Sequence, residues 1–340
     1  MKVAVTVQHP AHVHFFDSVA GDLEAAGHET RIYAREKGVV ADLLARSDVA
    51  HELLAGEAGS VPALAAVQSL YELRLLRRIR RFEPDVVTAI GGVAAAHVST
   101  LLDTPSVVFY DTEHAALVTR LAYPFADVVC TPLAYRGPVP GTHRRYPGCH
   151  ELAYLHPDRF SPDLAAVEGL GFDPAERFVV LRASDWSASH DVAAGGFRDL
   201  VAAVERLEAA GARVVLLPEG DPPAAVADRQ REVPPDAVHD LLAHADLYVG
   251  EGATMAAESG VLGTPAVYVN SLSMGYTDWL EHHGLLFGYH GDDRHERGLD
   301  RAEALLRSDV DWQRRRDRLL ARATDTASVA VAELERAAAG

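Results

Sequence analysis

The chain has 340 residues, of which 48% are apolar, a composition typical of a globular protein that buries a sizeable core. Its formal net charge of −17 argues against a nucleic-acid partner, because no excess of basic side chains exists to meet phosphates. No apolar run approaches the roughly 18 residues of a membrane-spanning helix, so we expect no transmembrane segment. The amino terminus lacks the layout of a signal peptide, and we therefore expect a cytoplasmic protein.

Lysine occurs only at Lys2 and Lys37, and arginine supplies the remaining positive charge. A large acidic excess with so little lysine predicts the cytoplasm of a salt-loving organism, where salt screens self-repulsion. A GC-rich genome would also favour arginine over lysine. The two cysteines, Cys130 and Cys149, are too few for a disulfide framework, and we expect both to be reduced.

The first half of the chain alternates short apolar runs with stretches of helical spacing. Strands are predicted at 3–7, 30–35 and in "PDVVTAIGG", "PSVVFYDTEH" and "ADVVCTP". Helices are predicted in "FFDSVAGDLEAAGHE", at 61–81 and in "VAAAHVSTLL". Apolar strands without strict alternation, separated by helices, indicate a parallel sheet that is covered on both faces.

The second half repeats this pattern with strands in "RFVVLRAS" and "ARVVLLPEG", helices in "FRDLVAAVERLEAAG" and "AVHDLLAHA", and a final strand–turn–helix–strand stretch, "DLYVGEGATMAAESGVLGTPAVYV". Two such series predict two doubly wound Rossmann-like domains of the α/β class, joined near the Pro-rich stretch "YPGCHELAYLHPDRFSP".

The most informative candidate site follows the strand at 247–249, because ligands of open α/β sheets bind beyond the carboxyl ends of strands. Gly250, Glu251 and Gly252 form a turn there, and Ala253 and Thr254 open the next helix. Glycines admit a ligand close to the backbone, and a helix amino terminus suits a phosphate. Glu258, about one turn into the helix, could accept hydrogen bonds from ribose hydroxyls. The alternative is a plain tight turn between strand and helix.

This stretch, with its Gly-Ala-Thr-Met-Ala-Ala-Glu run followed by Gly-Thr-Pro at 263–265, resembles the nucleotide-sugar loop of GT-B enzymes, especially the N-acetylglucosaminyltransferase of peptidoglycan synthesis. The resemblance implies that the loop cradles the diphosphate and ribose of UDP. The Thr falls one place early relative to that pattern.

A resemblance to the largely archaeal domain-of-unknown-function family 354 covers nearly the whole chain. It is carried by "HPAHVHFF", "YDTEHA", "YPGCHELAYL" and "GEGATMAAESGVLGTP". The family is grouped with GT-B proteins and has no settled reaction, so the resemblance implies the fold better than the activity.

A second candidate site is "FYDTEHA", where Asp111, Glu113 and His114 share the loop after a strand. Neighbouring carboxylates and a histidine can supply an acid and a base. The loop is similar to the "HVEAG" stretch of UDP-N-acetylglucosamine 2-epimerases, whose Glu would fall on Glu113. Other parts of the epimerase acid/base set are absent: Val93 stands where an Asp is expected, and a His-Arg-Arg-Glu run is missing. The alternative is a polar turn in which Asp111 caps the next helix.

"HPAHVHFF" places His9, His12 and His14 within six residues, in a turn after the first strand, with Phe15 and Phe16 starting the next helix. Three interpretations stay open: metal ligands, a structural turn, or contacts to acceptor or sugar with His12 or His14 as a general base. An amidohydrolase-like metal site would need further ligands and a barrel, so we expect no metal.

The join between the domains carries His150 and Glu151, which would face a cleft between them or serve as an ordinary linker. Arg182, Asp185 and His190 follow the first strand of the second domain. An arginine there would suit a diphosphate by its planar fork, although no spacing fixes this role.

We therefore predict a GT-B protein with two Rossmann-like parallel-sheet domains facing a cleft. An acceptor and catalytic domain spans 1–148, a linker 149–163, a nucleotide-sugar domain 164–315, and a terminal helix in 316–340 packs back on the first domain. The resemblances imply a metal-independent glycosyltransferase that needs no bound cofactor. Its donor would be a nucleotide-diphosphate sugar, with a UDP-sugar favoured, and its acceptor a glycan, lipid or small molecule. The alternatives are an epimerase or hydrolase of a UDP-sugar on the same fold, and a non-catalytic nucleotide-sugar-binding protein; the oligomeric state stays open.

Overall fold

The computed structural model describes residues 1–56, 61–173, 175–183 and 199–340, with the side chains of 61–64 left out. The chain divides into two compact units. Unit 1 comprises Met1–Arg159 and Thr324–Gly340, and unit 2 comprises Phe160–Ala323.

Unit 1 is built on a parallel sheet of seven strands in the order β3-β2-β1-β4-β5-β6-β7. Its strands are β1 Lys2–Val7, β2 Glu29–Arg35, β3 His51–Ala55, β4 Val86–Ile90, β5 Ser106–Phe109, β6 Val128–Pro132 and β7 Thr142–Tyr146. Its helices before the second unit are α1 Pro10–Ala25, α2 Val40–Leu44, α3 Val61–Phe82, α4 Val93–Leu102 and α5 Ala116–Ala122, with short 3₁₀ turns at Tyr123–Phe125 and His150–Ala153.

Unit 2 is built on a second parallel sheet, of five strands in the order β12-β11-β10-β8-β9. Its strands are β8 Phe178–Ala183, β9 Arg213–Pro218, β10 Leu247–Gly250, β11 Ala266–Val269 and β12 Leu286–Tyr289. Its helices are α6 Leu164–Glu168, α7 Leu200–Ala209, α8 Val238–His244, α9 Ala253–Leu262, α10 Gly275–His282, α11 Arg294–Leu306 and α12 Trp312–Leu320, with a 3₁₀ turn at Ala227–Arg229.

The last helix, α13 Thr326–Ala338, belongs to unit 1. Asp325 caps its amino terminus and also pairs with Arg159, whose guanidinium reaches Asp22 of α1 as well. The buried Ala327, Ala330 and Leu334 anchor the helix. A planar guanidinium shared between two carboxylates fixes α13 relative to α1.

The central strands are mostly apolar, as expected where helices cover both faces of a parallel sheet. All residues of β5, β10 and β11 are buried. The predicted fold class, two Rossmann-like parallel-sheet domains, is therefore confirmed. In the part of the chain that is described, no helix combines the length and apolar character needed to cross a membrane.

Each sheet has one point at which the strand order reverses, and these points mark where α/β sheets bind ligands. In unit 1 the reversal lies between β1 and β4, which pair in parallel. In unit 2 it lies between β8 and β10, where Gly250 is the register partner of Arg182. The candidate site of unit 2 begins at the carboxyl end of β10, and in unit 1 the histidine-rich stretch follows β1.

Candidate functional site

The histidine-rich stretch forms the start of α1 rather than a turn. Pro10 occupies the first helical turn, where its missing N–H costs nothing, and His9 is the N-cap, with Nδ1 accepting a hydrogen bond from the amide of Ala11 at 3.3 Å. The prediction that the helix starts at Phe15 and Phe16 is therefore wrong, because the proline and the capping histidine begin it earlier. Both phenylalanines are fully buried, as expected.

His12 projects from the first turns of α1 with its Nδ1 atom buried and without a hydrogen-bond partner. Burial, followed by the charges of His9 and His150, lowers the pKa of His12 well below its ordinary value. The imidazole is therefore neutral at neutral pH and can accept a proton.

Asp111 follows β5 and forms a buried pair with His150, whose Nδ1 lies 3.0 Å from Oδ2 of the carboxylate. Thr112 donates its hydroxyl proton to the other carboxylate oxygen at 2.9 Å. Burial opposes both charges, but their attraction outweighs it: the pKa of Asp111 is lowered and the pKa of His150 is raised. Both shifts favour the ion pair over its neutral form. Asp111 does not cap the next helix, since α5 has Ala115 at its N-cap and no side-chain cap.

The rings around His150 hold its orientation. Phe15 meets it edge-on with ring centroids 5.2 Å apart, and Tyr146 stacks on it at 6.4 Å. The Nε2 atom of His150 and the hydroxyl of Tyr146 are both buried without a partner. Buried polar groups are normally hydrogen-bonded, so these two atoms lie where a water molecule or a ligand group is needed.

Glu151 adds a second carboxyl group to this cluster. It is only 3% exposed, and its Oε2 atom has no hydrogen-bond partner. Burial and the nearby charge of Asp111 raise the pKa of Glu151 to about 7. The cluster therefore contains a neutral histidine, an ion pair and a carboxyl group that titrates near neutrality, which together provide acid and base groups.

Three other predicted residues of unit 1 make contacts of a different kind. The ring of His14 lies 5.3 Å from that of Tyr154. Glu113 accepts a hydrogen bond from the amide of Arg136 at 3.1 Å, and its side chain is 15% exposed. His114 lies exposed in the turn before α5.

In unit 2 the glycine turn lies at the reversal point of the sheet. A Cβ atom on Gly250 would come within 2.4 Å of the Tyr248 hydroxyl and 2.9 Å of the Arg182 Cβ, so only glycine fits this position. Gly252 is the N-cap of α9, whose first residues are Ala253 and Thr254. Gly252 has no side chain with which to cap this helix, and helix amide groups left without such a cap suit an anion.

The neighbours of this turn hold its backbone in place. The Asn270 side chain donates to the carbonyl of Glu251 at 2.9 Å, and Glu251 itself is buried. Glu258 is also buried, and its Oε1 lies 3.1 Å from Nε2 of His239 on α8. A carboxylate held in this way braces α9 against α8.

Arg182 lies beside the turn but pairs with Glu219 at 2.9 Å, leaving its side chain 30% exposed. Asp185 and His190, which the sequence placed after the same strand, lie outside the described residues.

The described residues contain no group of three His, Cys, Asp or Glu side chains arranged to hold a metal ion. His9 and His12 have ring centroids 5.6 Å apart, and His9 is engaged in capping α1.

Sequence reasoning missed two members of these sites, Tyr146 and His239. Tyr146 ends β7, an edge strand whose other residues are polar, so no apolar run indicates the strand. His239 lies in the short helix "AVHDLLAHA", where only the partnership with Glu258 distinguishes it. If β7 had been recognised as a strand, Tyr146 at its carboxyl end would have been a candidate site residue.

Comparison with known proteins gives a family match over most of the chain. The sequence model of the family described as "Protein of unknown function (DUF354)" matches residues 1–292. The uncharacterized protein MJ0665 of Methanocaldococcus jannaschii is 22% identical over 283 residues, covering 78% of this chain and 81% of the relative.

Solved structures with the same fold span the whole chain at low identity. A Listeria monocytogenes protein assigned as a UDP-N-acetylglucosamine 2-epimerase superposes with a TM-score of 0.69 at 15% identity, covering 96% of this chain and 93% of that one. S. aureus MnaA with UDP gives 0.66 at 10% identity, covering 97% and 94%. The glycosyltransferase VinC in complex with dTDP gives 0.64 at 17% identity, covering all of both chains. These similarities show the GT-B fold.

Proposed function

The chain belongs to the DUF354 family of proteins of unknown function, and on that premise we propose that it is a glycosyltransferase that uses a nucleoside-diphosphate sugar, preferably a UDP-sugar. The observation that carries this proposal is the amino terminus of α9, which has a glycine as its N-cap and follows the Gly250–Gly252 turn at the reversal point of the second sheet. Helix amide groups and dipole suit a diphosphate at this position. Two proteins of the same fold are described with bound UDP and dTDP.

Unit 1 supplies the acid and base groups in this proposal. Neutral His12, with its buried Nδ1, accepts the proton of an acceptor hydroxyl, and the hydroxyl oxygen attacks the anomeric carbon of the donor sugar. The bond to the nucleoside diphosphate breaks, and the α9 amide groups stabilise the departing negative charge without a metal ion. The Asp111 carboxylate favours the His12 imidazolium as it forms, while the positive charge of His150 opposes it and keeps the resting imidazole neutral.

Glu258 has a supporting role rather than a ribose contact in this proposal, because it is buried and held by His239. Arg182 would need to exchange Glu219 for a phosphate oxygen. The Glu219 partner is 48% exposed, so that exchange costs little.

An epimerase of the same fold is the second candidate, favoured by the two carboxyl groups of Asp111 and Glu151 in one cluster. Incubation with UDP-N-acetylglucosamine alone separates the two activities. Release of UDP together with a new sugar, in the absence of an acceptor, would contradict a transferase. Binding without turnover across many donors and acceptors would instead indicate a non-catalytic binding protein.

The nucleotide assignment is tested at Thr254, in the first turn of α9. Thr254→Glu places a negative charge beside the proposed diphosphate, while Thr254→Gln keeps a similar size without the charge. We expect UDP to raise the melting temperature of the wild type and of Thr254→Gln, and Thr254→Glu to lose at least about tenfold in affinity.

A folding defect cannot imitate this result, because a carboxylate in the first turn of a helix stabilises the ligand-free protein. Thr254→Glu should therefore melt no lower than Thr254→Gln without ligand. Equal UDP affinity in both variants, or no thermal shift with any nucleoside diphosphate, would mean that the assignment is wrong.

A further inference from the structure

The outward surface of α3 and β3 is basic and apolar, in contrast to the rest of an acidic chain. From Ala65 to Phe82 the exposed positions are two alanines, one serine, two leucines and five arginines, and none is acidic. The arginines are Arg74, Arg77, Arg78, Arg80 and Arg81. The α3–β3 surface, defined by these arginines with Leu53, Leu70 and Leu73, thus concentrates positive charge on a chain of net charge −17.

The leucines of this surface are open to solvent. Leu53, Leu70 and Leu73 are 44%, 42% and 46% exposed. Leu70 and Leu73 lie on the same face of α3 as the arginines, since the buried Tyr71, Leu75 and Ile79 define the opposite face. Leu53 adjoins this face across a groove of about 360 Å³, lined by Glu52, Leu53, Leu54, Arg74, Arg77 and Arg78.

Helix capping and internal pairing account for only part of this charge. Arg78 forms a bidentate pair with Glu52, and Arg74 donates to the carbonyl of Leu54. Among the described residues, none forms an ion pair with Arg77, Arg80 or Arg81. These three side chains are available to an external anion.

We infer that the α3–β3 surface docks on an anionic membrane surface, with its leucines at the headgroup boundary and its arginines on lipid phosphates. Leucine and arginine together on one exposed helix face are typical of interfacial binding, and clusters of four to eight basic residues bind anionic lipids. This inference is independent of the proposed transfer reaction.

Other occupants fit this surface less well. A symmetric contact between two copies would set five arginines against five arginines, which is repulsive. A nucleic acid would meet the arginines but would leave the leucines without an apolar partner. An anionic lipid surface matches both kinds of side chain.

The experiment is co-flotation of the full chain with phosphatidylglycerol–phosphatidylcholine vesicles, and with phosphatidylcholine vesicles alone, in the lowest salt at which circular dichroism shows the chain folded. We expect binding to the anionic vesicles only. Arg77→Glu/Arg80→Glu/Arg81→Glu should reduce binding at least about tenfold, since each basic residue near such a surface contributes measurably.

A matched control, Arg314→Glu/Arg318→Glu/Arg322→Glu, makes the same charge change at exposed positions of unit 2 and should bind within about twofold of the wild type.

A second variant, Leu70→Ser/Leu73→Ser, tests the apolar part. We expect this variant to bind more weakly than the wild type but still to prefer anionic vesicles, because the charges remain. No binding by the wild type, equal binding to both kinds of vesicle, or an equal loss in the unit 2 control would overturn the inference. So would a dimer in analytical ultracentrifugation that the α3 charge reversals dissociate, because the surface would then be an interface between two copies.

Discussion

Glu151 is a buried carboxyl group whose protonation should set part of the pH dependence of stability. Its folded pKa is raised to about 7 from 4.5, so the native state holds a proton that the unfolded chain has released. This bound proton contributes up to about 3 kcal/mol to the free energy of unfolding below pH 4.5. The contribution is lost as the pH rises from 4.5 to about 7. We expect Glu151→Gln to remove this loss, so that its free energy of unfolding gains on the wild type between pH 5 and pH 8. Urea unfolding across that range measures the difference.

The control for this prediction is Glu205→Gln, an exposed position on α7. Its difference from the wild type should stay constant with pH. If the Glu151→Gln difference is equally flat, Glu151 is ionised in the folded protein throughout this range, and it cannot serve as the acid of the cluster.

At the scale of single residues the sequence predicted the members of the unit 1 cluster better than their partners. His12, Asp111, His150 and Glu151 were all candidates, because each follows a strand or lies at the domain join. The Asp111–His150 ion pair was not predicted, since its two residues follow different strands and only the sheet order brings them together. Pairing in space depends on topology, which local spacing does not encode.

At the scale of elements, two glycines of one turn should respond oppositely to substitution. Gly250→Ala would push a Cβ into the buried Tyr248 and the Arg182 stem, so we expect a loss of about 1–3 kcal/mol. Gly252 has ordinary backbone dihedrals, and among the described residues no atom lies closer than 3.7 Å to the position that a Cβ would take. Serine is a better N-cap than glycine, and Gly252→Ser should keep or slightly raise stability. Chemical denaturation of both variants checks this contrast, and an unstable Gly252→Ser would mean that the turn needs glycine at both places.

Central strands were predictable from the sequence, whereas the edge strands β3 and β7 of unit 1 were not; the edge strand β9 of unit 2 was predicted because it is a mostly buried apolar run. The strands β1, β4, β5 and β10 read as apolar runs because both of their faces are buried. The edge strands β3 and β7, "HELLA" and "THRRY", bury only part of their length and carry charged side chains that discourage further pairing. Their strand character comes from the neighbour to which they bond, and a single sequence does not contain that information.

At the scale of the whole molecule, the net charge of −17 should make stability rise with salt. Self-repulsion among 49 acidic side chains, only partly offset by 32 basic ones, is strongest where screening is weakest. The Debye length falls from about 10 Å at 0.1 M to about 3 Å at 1 M, so the melting temperature should climb over this range of KCl and then level off. Calorimetry on the wild type measures the rise.

A variant with less negative charge distinguishes screening from a general effect of salt on apolar burial. Glu205→Gln, Asp221→Asn and Glu232→Gln remove three exposed negative charges that form no ion pair with any described residue. We expect the triple variant to melt higher than the wild type at low salt and to gain less from KCl, because less repulsion remains to be screened. Salt acting through apolar burial would raise the melting temperatures of both proteins equally.

A wild type that melts at a lower temperature in KCl would show that its ion pairs outweigh the repulsion. Examples are the pairs of Arg206 with Glu296, Asp300 and Glu303. The salt-adapted interpretation of the composition would then be wrong.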